Sequence, residues 1–114
     1  MRKRFYLSHP YGGKAENKIK AAQIAQLYRE LWDAEGHEDW ELLNPLEYLK
    51  DFQDLDEDTI LRLAVNIMGT CDGVIFAPGW KRSRGCRYEH WRVQHMDTLS
   101  VYFHQYYIPE GVTA

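Results

Sequence analysis

Gly73-Val74-Ile75-Phe76-Ala77 is an unbroken apolar run that stops at Pro78-Gly79. A strand with one face in water alternates apolar and polar residues. An unbroken run of this length is what a central strand buried on both faces requires. It therefore predicts the middle of a sheet covered on two sides. Just upstream, a helix is expected from about Glu57 to Gly69, with Ile60, Ala64, Ile67 and Met68 on its buried side. Downstream, past a polar loop, another is expected from Gly85 to about Thr98. Further out, Phe5-Tyr6-Leu7-Ser8 reads as a strand that ends at the turn-forming run His9-Pro10-Tyr11-Gly12-Gly13. From about Ala15 to Glu35, Ile24, Leu27, Tyr28 and Leu31 recur at i, i+3, i+4 and i+7, and Gly36 is a natural helix stop. Trp40-Glu41-Leu42-Leu43 is a second strand closed by Asn44-Pro45, and Val101-Tyr102-Phe103 a last one. The acidic stretch Asp51 to Asp58 reads as a solvated loop feeding the next helix, and the tail from Tyr106 carries no clear pattern.

Strands alternating with helices imply crossover connections and a parallel sheet. At 114 residues the chain is expected to be one α/β domain. The expected form is a Rossmann-like (flavodoxin-like) three-layer fold with a four- or five-stranded parallel sheet. In such sheets ligands sit beyond the carboxyl ends of the strands, where the strand order reverses. The loops His9 to Gly13 and Pro78 to Gly85 both leave strands on that side.

Composition narrows the partners. A formal net charge of -3 gives no electrostatic drive toward a nucleic acid polymer or an anionic membrane. No window approaches the roughly 18 apolar residues of a membrane span. The charged start Arg2-Lys3-Arg4 runs directly into a strand, unlike a secretory leader. Two cysteines, Cys71 and Cys86, are too few for a disulfide scaffold and point to free thiols in a reducing cytoplasm. Aromatic residues make up 14% of the chain, enough to expect interfaces or stacking pockets as well as core packing.

Three segments carry candidate chemistry. Ser8-His9-Pro10-Tyr11-Gly12-Gly13-Lys14 offers small residues, backbone amides and a cation between a strand and a helix, which are the parts of an anion cradle. It matches neither the dinucleotide fingerprint nor the P-loop, and it also reads as a plain tight turn. Pro78-Gly79-Trp80-Lys81-Arg82-Ser83-Arg84-Gly85 sets an indole and three cations on a polar connection, with Ser83 placed to cap the next helix. An exposed basic loop with an ordinary cap is the alternative. On a helix from Gly85, Glu89 shares a face with Cys86 and Val93 that points toward the sheet. A carboxylate there is either a paired structural charge or a functional one. Cys86, His90 and His95 do not share one face, so a zinc site is not expected.

Several of these features occur together: Tyr6 in the first strand, the Pro10/Gly12-Gly13 loop, Cys71-Asp72-Gly73 opening the buried strand, and Ser83-x-Gly85-x-x-x-Glu89. In this combination the chain resembles the nucleoside 2-deoxyribosyltransferase superfamily, which includes the 2'-deoxynucleoside 5'-phosphate N-hydrolases. The similarity is greatest to a small bacterial and phage branch with the loop Pro-Gly-Trp-x-x-Ser-x-Gly, and it runs from Phe5 to about Met96. The resemblance implies that Glu89 attacks the sugar C1' and that Tyr6 orients it. Ser8, Pro10, Gly12, Gly13, Asp72, Trp80, Ser83 and Gly85 would contact substrate. A serine at 83, where the transferases carry an aspartate, leans toward a nucleotide over a free nucleoside. The resemblance implies neither a metal nor an organic cofactor, and it implies a homo-oligomer using some of Tyr88, Trp91, Tyr102, Tyr106 and Tyr107. The chain departs from the family at Ala64, where many relatives carry an aspartate, with Asn66 the nearest polar residue on that helix. The expected function is N-glycosidic cleavage or deoxyribosyl transfer on a small-molecule nucleoside or nucleotide. A non-catalytic nucleotide-binding module is the alternative.

Overall fold

The computed structural model describes residues 2–11, 15–48, 55–96 and 99–104. Its strands are β1 (Lys3–Ser8), β2 (Trp40–Leu43), β3 (Gly73–Phe76) and β4 (Ser100–Phe103). The helices are α1 (Ala15–Ala34), α2 (Pro45–Tyr48), α3 (Glu57–Met68) and α4 (Arg84–Val93), with a 3-10 turn at Trp80–Arg82. All strand pairs are parallel and the order is β2-β1-β3-β4. The expected three-layer α/β architecture is present, with four strands.

The period-2 geometry of a strand sorts the core into two layers. Phe5 and Leu7 of β1 and Ile75 of β3 face α1, where they meet Ala21, Ile24, Ala25 and Trp32. Tyr6 of β1 and Val74 and Phe76 of β3 face the other side, against Ala64, Val65 and Met68 of α3 and Val93 of α4. Every residue of β3 is buried, as its unbroken apolar composition requires. Each fully buried large apolar side chain contributes about 1.5–3 kcal/mol, so these two layers supply most of the drive to fold.

The ends of elements follow local chemistry. Asp56 caps α3 by accepting from the Thr59 amide at 2.8 Å. The sequence reading ends β2 at Asn44-Pro45, but a single helical turn follows. Asn44 is buried, its side chain accepts from the Leu46 amide at 3.2 Å, and Pro45 occupies the first helical position, where its missing N–H costs nothing. α4 is shorter than expected. It stops at Val93, and the Gln94 amide closes it by bonding back to Arg92 and His90 carbonyls. The chain must then reach β4, whose entry is fixed by the Ser100 amide on the Asp72 carbonyl at 3.2 Å. Thr98 lies outside the described residues, as do positions 51–54 of the acidic stretch and the tail from Tyr106. Among the described residues, no helix is long and apolar enough to cross a membrane. Of the aromatics expected at an oligomer interface, Trp91 and Tyr102 are exposed and Tyr88 is half-buried, while Tyr106 and Tyr107 fall outside the described residues.

Candidate active site

The order β2-β1-β3 means the chain leaves β1 to one side and returns on the other. The crevice at the carboxyl ends of β1 and β3 is therefore the switch point of the sheet. Alternation along β1 aims Tyr6 and Ser8 to the same face, toward α4. The N-terminal end of α4 is set by Ser83, whose Oγ accepts from the Cys86 amide at 3.3 Å. Gly85 lets α4 approach α3 closely, since a β-carbon there would stand 3.2 Å from Leu61 Cδ2. From that start, Cys86 and Glu89 fall one turn apart on the helix face turned to the sheet.

The result is a carboxylate held inside the protein. Glu89 is 5% exposed. Its Oε2 accepts from the Tyr6 hydroxyl and its Oε1 accepts from the Ser8 hydroxyl at 2.8 Å. Tyr6 and Glu89 are 83 positions apart in the chain, so only the crossover topology brings them together. Burial pushes the Glu89 carboxyl up from 4.5 to about 7, and the Tyr6 and Ser8 hydrogen bonds partly oppose that rise. Tyr6 is held as a neutral donor, its own pKa raised well above 10 by burial and then by the Glu89 charge. Burial also pushes the neighbouring Cys86 thiol up to about 11, against the pull of the Ser8 and Ser83 hydroxyls. That thiol is not the thiolate a cysteine nucleophile needs. A carboxyl poised near neutrality can act as a nucleophile or exchange a proton at physiological pH.

The other expected site residues divide. Ser8 belongs to the carboxylate itself, a role that period-2 spacing from Tyr6 would have revealed. Pro10 sits at the β1 exit, where its carbonyl accepts from His9 Nδ1 at 2.7 Å. Gly12 and Gly13 lie outside the described residues. Trp80 and Gly79 lie beyond β3, and Gly79 has φ 84°, a left-handed conformation that glycine adopts without cost. Asp72 is not brought to the site. It precedes β3 at the opposite, amino-terminal end of the strands, where its carboxylate accepts from the Arg4 amide at 2.8 Å. Arg84 is turned away onto α3, pairing with Glu57 and Asp58 at 3.1 Å each. Ala64 is buried in the core layer beside Tyr6, and Asn66 faces solvent. Among the described residues, no three His, Cys, Asp or Glu side chains converge.

The family model described as a domain of unknown function, DUF4406, matches residues 3–102. The chain belongs to the DUF4406 family. The match spans β1 to β3, all of β4 but its last residue, and both residues of the Tyr6–Glu89 pair. No curated protein and no solved structure matches this DUF4406 domain.

Proposed function

We propose that this DUF4406 domain cleaves an N-glycosidic bond of a nucleoside or nucleotide, or transfers its deoxyribosyl group, with Glu89 as nucleophile. The observation that carries the reading is a buried glutamate held by Tyr6 and Ser8 at the switch point of a parallel sheet. It agrees with the resemblance to the nucleoside 2-deoxyribosyltransferase superfamily, in which a tyrosine orients a glutamate in this way. One carboxylate oxygen attacks C1' as the C1'–N bond breaks. The electron pair leaves with the base nitrogen, which takes a proton from water. The resulting glycosyl ester then passes its sugar to water or to a second base, regenerating the carboxylate. Positive charge builds at C1' on the way, and an adjacent carboxylate stabilises it. Two fixed hydroxyl donors restrict the carboxylate to one orientation, so little is lost in ordering it when substrate arrives.

Ala64 in the core favours the second reading, a nucleotide-binding module without chemistry, because no acid stands where many relatives carry one to assist the leaving base. The two readings are separated by incubating the protein with ribo- and deoxyribonucleosides and their 5'-phosphates and measuring free base by chromatography. Base release that disappears in Glu89→Gln supports the enzyme. Release unchanged by that substitution refutes Glu89 as nucleophile. Binding without release from any substrate establishes the module.

A further inference from the structure

The formal charge of -3 averages over a chain whose charges are unevenly placed. Five of its 14 lysines and arginines lie between positions 81 and 92: Lys81, Arg82, Arg84, Arg87 and Arg92. The single acidic residue in that span, Glu89, is buried against Tyr6 and Ser8 and leaves no charge at the surface. Helical period sorts the outward side of α4 into two i, i+4 rows. One runs from Arg87 to Trp91 and on to His95 in the closing turn, and the other runs Arg84, Tyr88, Arg92. Each row sets an aromatic ring between side chains that carry or can take positive charge.

The rows differ in what they leave open. Arg84 is neutralised by Glu57 and Asp58 of α3 at 3.1 Å each, and Tyr88 is half-buried against the core. Arg87 and Arg92 are exposed, and among the described residues no carboxylate pairs with either. Five residues separate them, about 7.5 Å along the helix axis, which is the length of one or two nucleotides of a strand. Trp91 lies between them in the chain and is 56% exposed. Its ring neighbours, His95 at 4.8 Å and Tyr88 at 6.4 Å, are tilted to it by 49° and 40°, so neither covers it as a parallel stack would. Single exposed apolar residues are ordinary on a surface. An open indole beside two unpaired guanidinium groups is a more specific chemistry.

We propose that this outer face of α4 binds a single-stranded nucleic acid, with a base stacked on Trp91 and neighbouring phosphates held by Arg87 and Arg92. An exposed ring flanked by cations suits an unpaired strand, because every base offers a π face and every phosphate a charge. A duplex keeps its base faces inside the stack and would use the arginines alone. A second copy meeting the same face would bring the arginines of both copies together, with no carboxylate among the described residues of the face to offset them. An acidic protein segment would satisfy the arginines and leave the indole unstacked. The face lies on the side of α4 away from Glu89, so the proposal does not depend on any chemistry at that carboxylate.

The test follows fluorescence anisotropy of labelled oligonucleotides of about 12 residues, within the usual site size for unpaired strands, as the full chain is added. The probes are a mixed-sequence single strand, as DNA and as RNA, and the matching duplex. The single strand should bind, the duplex at least tenfold more weakly, and affinity should fall as salt rises. Arg87→Gln with Arg92→Gln should reduce the log–log salt slope by about 1.4, for two phosphate contacts at about 0.7 each. Trp91→Ala should weaken binding about 5- to 150-fold, the loss of one stacked base, and leave the slope unchanged. All three positions are exposed, and circular dichroism checks that the variants fold. Neither polyglutamate nor a 5'-mononucleotide in excess should displace the strand. No binding of either single strand, a duplex bound equally well, or displacement by polyglutamate overturns the proposal. Displacement by the mononucleotide also overturns it, because the strand then occupies the Glu89 site. So does a Trp91→Ala protein that binds normally but changes its sedimentation, because the ring then serves contact with another copy.

Discussion

Replacing Glu89 with glutamine should make the protein more stable at neutral pH, and the gain should depend on pH in a defined way. The folded protein raises this carboxyl from 4.5 to about 7, chiefly by burial. At about 1.4 kcal/mol per pH unit, that displacement corresponds to about 3 kcal/mol of penalty for the ionised form. The sign follows from proton linkage. Between pH 4.5 and about 7 the folded state holds a proton that the unfolded state has released, so stability falls as pH rises through this window. Below about pH 4.5 the carboxyl is neutral in both states and the full contribution is present. Above about pH 8 it has been lost. A glutamine side chain at this position would be neutral throughout and can still bond with Tyr6 and Ser8. The difference between variant and wild type should therefore be small at about pH 4.5 and approach about 3 kcal/mol at about pH 8, a shift of roughly 10 °C for a domain of this size. Urea denaturation of both proteins at pH 5, 6, 7 and 8 measures it, and taking the difference cancels the other titrating groups. A gap that stays flat across this range, or a variant less stable than wild type at pH 8, refutes the view of Glu89 as a destabilising buried charge. A group retained at such a cost fits a site kept for function over stability.

If base release is found, its kcat/KM should rise with pH through about 7 as the Glu89 carboxyl ionises, and a profile flat from pH 5.5 to 8 would exclude a carboxylate nucleophile with that pKa. Tyr6→Phe removes the donor to Glu89 Oε2. It should move that acid limb to higher pH and lower kcat/KM about 10- to 100-fold, the effect of losing about 1.5–3 kcal/mol of hydrogen bond to a charged group; an unmoved limb would show that Tyr6 does not tune the carboxylate. Ser83→Ala removes the cap on the Cys86 amide and should cost about 1 kcal/mol in chemical denaturation. A loss confined to nucleotide binding, with stability unchanged, would assign Ser83 to ligand contact instead of helix capping.

The segment Gly73 to Ala77 determined by composition alone that a strand would be buried on both faces, because only a strand covered on two sides tolerates an unbroken apolar run. Period also carried the presence of α1 and α3 and the inward face of α4, and with it the expectation that Glu89 turns toward the sheet, although α1 buries Ala21, Ile24, Ala25 and Trp32 and leaves Leu27, Tyr28 and Leu31 half-buried. These are local properties: each residue's apolar or polar character sets which way its element must face. The α2 turn was equally local, since Asn44-Pro45 is a helix start as well as a strand stop, but short-range chemistry does not choose between the two. What no local pattern contains is adjacency. The order β2-β1-β3-β4 decided that Ser8 lies beside Phe76 and Phe76 beside Phe103, that Tyr6 and Ser8 converge on Glu89, and that Asp72 lies at the far end of the strands from them. The same adjacency sets the Glu89 chemistry. A glutamate on an isolated helix would titrate near 4.5, and the rise to about 7 comes from the elements packed over it, a property of the assembled layers that the sequence around position 89 does not hold.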